Sequence, residues 1–317
     1  MQLSLANLER ADIFIHSAAR PLERALFAYG LQTGAPEEVY AQLAHFQNPD
    51  GGFGRALEPD LRLPGSSVYV TTVGLQLLRD LATPATHPLV QGAICYLLHT
   101  YDAQRQRWLI IPPAAREAPH APWWRYDDDL PVRFGQYLAN PRAEILGYLY
   151  DYAELVPHTL IQELADAIVA HLTTQPDELE MHDLLCYVRL LETRSLPEGV
   201  RAPLLGKLQV VVDRTVARAP GDWEHYGLQP LSVVASPASP FAPRLAEAIK
   251  RNLDYLIGHQ GADGAWGPTW TWGDLFPETW PVAEQDWKGV ITVATVRKLQ
   301  AFGRIAAHVG SGAEAWE

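Results

Sequence analysis

HFQNPDGGFG, His45 to Gly54, reappears far down the chain as GHQGADGAWG, Gly258 to Gly267. Setting Gln47 on Gln260 also aligns Asp50 with Asp263, Gly51 with Gly264, Phe53 with Trp266 and Gly54 with Gly267, so the pattern Q-x-x-D-G-x-[FW]-G is written twice. Asp-Gly makes a tight turn through a left-handed backbone position, and the aromatic gives that turn something to pack against. Each copy closes an amphipathic segment and precedes, after a loop, a more uniformly apolar one. The motif reads as punctuation of a helical repeat, with weaker relatives at Tyr101–Trp108 (YDAQRQRW) and Gly221–Tyr226 (GDWEHY).

Helical periodicity fills the intervals. In 141–156 the positions Ile145, Leu149, Tyr152, Ala153 and Val156 fall on one face of a 3.6-residue repeat, with Asn140 expected as N-cap and Pro141 as first helical residue. Further helices are expected at about 20–32, 36–47, 67–81, 86–100, 159–173, 178–193, 200–217, 243–259 and 287–306. Segments 67–81 and 288–302 are apolar on more than one side, whereas 242–260 carries a charged face. Helices wet on one side alternating with helices buried all round imply two layers. The expected fold is all-α, an α/α toroid of outer and inner helix pairs forming one domain over 1–317.

Gln followed by Asp-Gly-x-aromatic at a helix end resembles the QW repeat of squalene and other triterpene cyclases, shared in looser form by protein prenyltransferase β subunits. The resemblance implies that Gln47, Phe53, Gln260 and Trp266 tie neighbouring repeats together rather than act on a substrate. It rests on the two good copies, and the sequence departs from the family elsewhere. There is no D-x-D-D acid motif, the nearest stretch being Asp127-Asp128-Asp129, and His182, Asp183 and Cys186 do not follow the prenyltransferase zinc pattern.

Composition narrows the classes. Of 317 residues 48% are apolar and 20% charged, as in a globular protein, and the net charge of −12 without any Lys/Arg run argues against nucleic acid. No window reaches the roughly 18 apolar residues of a membrane span, and the first residues lack a basic, then apolar, leader pattern, so the expected location is the cytoplasm. No obligate partner is evident. Cys95 and Cys186 sit in apolar helical patterns and read as inert buried thiols.

The candidate chemistry lies where the helical rhythm breaks. In 101–140, His120, Trp123, Trp124 and Tyr126 precede Asp127, Asp128 and Asp129, with Arg125, Arg133 and Arg142 close by. Such a density of carboxylates suits Mg²⁺ bridging to a diphosphate, the arginines would meet the remaining charge, and the aromatic faces would stabilise a carbocation. The metal-binding pattern D-D-x-x-D is nonetheless absent. A second cluster, Trp266, Trp270, Trp272, Trp280 and Trp287, is too aromatic for a solvent-facing loop and is expected to roof a cavity or touch substrate. Tyr69, at the head of an apolar helix, is a further wall candidate, and Asp50, Glu58, Asp60, Asp222, Trp223, His225 and Tyr226 lie at turns that share a rim in this scheme. Glu144 is favoured in its helix's first turn by the dipole alone.

The leading expectation is an enzyme of terpene synthase or cyclase type, ionising a prenyl diphosphate with Asp127, Asp128, Asp129 and His120 as the catalytic and metal-binding group. The first alternative is a carbohydrate-active toroid enzyme (glycosidase, lyase or epimerase), with Asp50, Asp127 and Asp263 suited to paired acid/base work and carboxyl groups facing across a groove as its mark. The second is a non-catalytic scaffold for a lipid or peptide.

Overall fold

A computed structural model describes residues 1–306. The chain is mostly helical: α1 (Leu5–Ala18), α2 (Pro21–Gly30), α3 (Pro36–Leu43), α4 (Val68–Asp80), α5 (Pro88–His99), α6 (Leu130–Arg133), α7 (Arg142–Asp151), α8 (His158–Thr174), α9 (Met181–Leu191), α10 (Glu198–Thr215), α11 (Pro230–Val233), α12 (Ala246–Gly258) and α13 (Trp280–Ala301). One small hairpin, β1 (Tyr101–Asp102) with β2 (Arg107–Trp108), pairs Tyr101 with Trp108. No helix among the described residues is long and apolar enough to cross a membrane.

Local chemistry sets the helix ends. Ser4 and Ser67 cap α1 and α4, each hydroxyl accepting the N–H three residues on at 3.1 Å. The periodicity in 141–156 is cut short, because Tyr152 leaves helical geometry and the apolar residues beyond it continue as a 3₁₀ turn, Ala153–Leu155. Pro141 takes the cap position, and Asn140 is buried just before it. Helix α1 was not expected from the sequence, and α13 begins at Trp280 rather than 287, since Pro281 suits a first helical turn. Cys186 is buried, whereas Cys95 lies on the exposed side of α5.

Two kinds of helix alternate. α7 is buried from Arg142 through Leu149 without a break, and α4 buries seven residues around its circumference. α12 buries only the stripe Ala248, Ile249, Asn252, Leu253 and Ile257. α7 packs on α4, α8 and α9; α9 on α10 and α11; α2 on α3 and α13; and α1 on α13. Leu3 and Ile305 form a parallel bridge, bringing the first and last described segments together.

The two motif copies occupy matching places atom by atom. The Gln47 amide donates to Gly51 O at 2.8 Å and to Leu89 O in the first turn of α5 at 2.9 Å. The Gln260 amide donates to Gly264 O and to Asn7 O in the first turn of α1, both at 2.8 Å. The Phe53 N–H donates to Thr71 Oγ1 of α4 and the Trp266 N–H to Thr292 Oγ1 of α13, each at 3.0 Å. Asp50 and Asp263 each close their turn by accepting an N–H two residues on. So the second copy docks on α1 as the first docks on α5. The weaker relative in the hairpin shares part of this scheme: Trp108 donates its indole N–H to Leu97 O at 2.7 Å, as Trp266 does to Leu256 O at 2.7 Å.

Each glutamine amide thus stitches a turn to a neighbouring helix through two hydrogen bonds. Gln47→Ala and Gln260→Ala are each expected to cost about 2 kcal/mol, one net hydrogen bond being worth about 1 kcal/mol. Urea denaturation of the two variants beside the wild type measures this.

Candidate functional site

The ends of the buried helices converge on a cavity of about 640 Å³. The loop between the first motif and α4 contributes Glu58 and Asp60, and α4 contributes Tyr69. The excursion between α5 and α7 contributes Trp123, Trp124, Arg133 and Asn140; α9 contributes His182 and Asp183, with Glu180 as its N-cap. Tyr226 precedes α11, Trp270 precedes α13, and Trp287 sits within α13. A smaller chamber of about 310 Å³ shares Glu58, Tyr69 and Trp287 with it and continues to Gln76, Arg189 and Arg297.

Glu58 and Asp60 are both buried, at 4% and 2% exposure. Asp60 is held by two indoles, Trp272 Nε1 donating to Oδ1 at 2.6 Å and Trp270 Nε1 to Oδ2 at 3.0 Å. Burial pushes its pKa up, and the indole donors partly offset that. Glu58 Oε2 is buried without any hydrogen-bond partner. Burial raises the Glu58 pKa well above the usual carboxyl value, and the neighbouring Asp60 charge raises it further. Both effects favour the protonated form of Glu58 over the carboxylate.

Glu180 is arranged in the opposite sense. Its carboxylate caps α9, accepting the N–H of His182 at 2.8 Å and of Asp183 at 3.1 Å, and it accepts from His182 Nδ1 at 2.7 Å. Burial works against its charge, but these donors prevail and hold its pKa below the ordinary value. With Nδ1 donating to Glu180, His182 Nε2 is left to accept from the Tyr226 hydroxyl at 2.8 Å. Tyr226 stacks on Trp123 with 9° between ring planes and meets Trp270 edge-on. One cavity thus holds a carboxyl that favours its proton, a carboxyl that favours its charge and is tied to a histidine, and tryptophan faces.

Asp183 supplies a pH handle on stability. Burial, with the Glu180 charge adding to it, pushes its pKa up to about 6. A carboxyl that holds its proton more tightly folded than unfolded stabilises fully below about pH 4, and that contribution is lost as pH rises through 6. Asp183→Asn is expected to gain about 2 kcal/mol on the wild type between pH 4 and 7, after discounting for its partial exposure. Denaturant titrations at a series of pH values read that difference directly.

The structure gathers only some of the residues singled out from sequence. Tyr69, Trp123, Trp124, Arg133 and Trp270 line the cavity. Trp272 stands behind the wall as an anchor of Asp60, with Trp280 packed on it at 5.6 Å between centroids. Arg142 is buried, and its guanidinium donates to Leu138 O and Gln106 O, bracing the excursion. Tyr126 is half-buried, its carbonyl accepting from Arg116. His120 is buried against Phe276, its Nδ1 without a partner and its pKa lowered by burial. Glu144 is buried beneath the smaller chamber, paired with Arg189 at 2.6 Å.

Asp127, Asp128 and Asp129 do not join this group. Asp127 is bridged by Arg133 at 2.6 Å and Arg125 at 3.1 Å, which hold its pKa down, and Asp128 and Asp129 are exposed. The three carboxylates sit in a turn leading into α6, where solvation and arginine pairing relieve their repulsion, and none lines the cavity. They do not fit a bridging Mg²⁺ site, and no group of three or more His, Cys, Asp or Glu among the described residues is set to hold a metal ion.

Glu180 escapes a reading of the sequence because it caps α9 from a position where Ser, Thr, Asp or Asn is the expected residue. Glu58 and Asp60 were legible as rim residues, but their burial depends on tryptophans more than 200 positions away. Comparison of the chain with protein-family models, with curated proteins and with solved structures gives no match.

Proposed function

We propose that the chain is an α/α toroid enzyme performing general acid–base chemistry on an uncharged, ring-stacking substrate, with a neutral sugar as the class. Glu58 is the acid, and Glu180 is the base, oriented by His182. The toroid reading is supported by the matched docking of the two motif turns, the second on α1 as the first on α5. It also agrees with the helix contacts α2–α3, α4–α5, α7–α8, α9–α10, α11–α12 and α13–α1, the last of which joins the two ends of the helical series.

The observation that carries the functional reading is the buried Glu58 carboxyl, its Oε2 without a hydrogen-bond partner, in one cavity with Glu180, their proton affinities pushed in opposite directions. Groups driven apart in this way divide into acid and base. Trp123, Trp270 and Trp287 offer flat faces of the kind that sugar rings stack on, and Asn140, Asp183 and Tyr226 offer hydrogen-bond partners for hydroxyls. A diphosphate fits this wall poorly: Glu58, Asp60, Glu180 and Asp183 face it, and Arg133, the one Arg or Lys lining it among the described residues, is engaged by Asp127.

The motif geometry favours one second reading, acid-initiated cyclisation of a neutral polyene, because the resemblance to triterpene cyclases rests on those same motifs. Glu58 would then protonate an alkene in the aromatic chamber. The ionised Glu180 in the wall weighs against this, since it would trap or deprotonate a carbocation early.

A panel of neutral aryl glycosides and oligosaccharides, run beside squalene, oxidosqualene and C10 to C20 prenyl diphosphates with Mg²⁺, separates the readings. Released reducing sugar or an altered sugar is expected. A cyclised hydrocarbon would move the assignment to the second reading, pyrophosphate release would restore an ionising synthase, and silence across the panel would leave a binding scaffold.

A further inference from the structure

A third chamber of about 420 Å³ lies beyond the wall formed by His182, Tyr226 and Trp270, which it shares with the main cavity. Its character is the reverse of its neighbour's. No aspartate or glutamate lines it, and its charged residue is Lys298, on α13, one turn from Thr295, which lines it too. The chain has four lysines, at 207, 250, 288 and 298. Lys207 pairs with Asp177 and Lys288 with Asp263, each at 2.8 Å or less, whereas the partly buried Lys298 has no ion-pair partner among the described residues. The remaining walls are largely aromatic, including the buried Trp223 and Trp266.

We propose that this chamber binds an amphipathic monocarboxylate, its carboxylate on the Lys298 ammonium beside Thr295 and its apolar body against Trp223, Tyr255 and Trp266. A partly buried ammonium without a counter-ion offers an anionic ligand a charge-assisted contact that a neutral analogue cannot make. The volume lies within the range of small-ligand pockets. The proposal does not depend on the acid–base reading of the main cavity. Burial lowers the Lys298 pKa to about 8, so the ammonium form prevails at neutral pH and is lost above it. The other titratable groups lining the chamber are His182 from α9, Tyr226, and Tyr255 and His259 from α12 and its end; none is an acid that competes for the ammonium.

Octanoate and octanamide, matched in length and differing in charge, test this by calorimetry and by the fluorescence of the wall tryptophans. Octanoate is expected to bind the wild type at least tenfold more tightly than octanamide at pH 7, with affinity falling about tenfold per pH unit above 8. Lys298→Met should abolish the preference and Lys298→Arg should keep it, both variants unfolding no earlier than the wild type. Equal binding of acid and amide, no binding of either, or a preference surviving in Lys298→Met would overturn the proposal.

Discussion

Replacing Gly264 by alanine is expected to destabilise the protein by about 4 kcal/mol, and Gly51→Ala by nearly the same amount. Both residues have positive φ, +88° and +86°. A Cβ at Gly264 would stand 2.3 Å from the Arg10 carbonyl oxygen on α1, and one at Gly51 2.3 Å from the Gly92 carbonyl oxygen on α5. Neither contact can be relieved by a side chain swinging away, because the obstacle is helical backbone. The turn must therefore lift from the helix it docks on, losing the glutamine stitches with it. A control is Gly206→Ala in α10, where nothing lies within 4 Å and better helix propensity should add about 1 kcal/mol. Urea melts of the three variants decide the matter. A loss below 1 kcal/mol at Gly264, or costs at Gly51 and Gly264 differing severalfold, would mean that the two turns are not mechanically equivalent.

That equivalence explains why so much of the fold is legible in one short motif. Gln, Asp-Gly and an aromatic each have a local job with a fixed geometry, so the sequence carries the docking of the turn after α3 on α5 and of the turn after α12 on α1 in a form that needs no long-range knowledge. The middle of the chain is less readable because its punctuation is worn: Trp108 keeps the indole contact to the preceding helix, but its turn has become a hairpin. The site is harder still. Asp127, Asp128 and Asp129 draw the eye as a run, yet a run of like charges is most comfortable in solvent, and they are found there or paired with arginine. Glu58, Asp60 and Glu180 are ordinary letters in the sequence. What sets them apart is desolvation, an indole pair from the far end of the chain, and a histidine two residues on. The first two properties arise only when distant segments close around the residues, and the third matters only once the fold carries Glu180 to the cavity, whereas helical periodicity is a property of neighbours.

Glu58→Gln is expected to reduce turnover of the substrate found in the neutral-sugar panel by 10²- to 10⁴-fold while leaving the fold intact. The amide matches the shape of a neutral carboxylic acid and cannot donate a proton to a leaving group. The wild-type rate should be bell-shaped in pH. It falls on the alkaline side as Glu58, its pKa raised by burial, loses its proton, and on the acid side as Glu180, its pKa held down by its donors, gains one. Glu180→Gln should lower the rate and erase the acid limb. Asp60 acts through Glu58 and is a positioning residue: its charge helps hold the proton on Glu58. Asp60→Asn should therefore shift the alkaline limb toward lower pH instead of scaling the rate uniformly, as a merely structural defect would. A Glu58→Gln enzyme retaining a tenth or more of wild-type turnover, with its alkaline limb in place, would remove Glu58 from the chemistry and the acid–base reading with it.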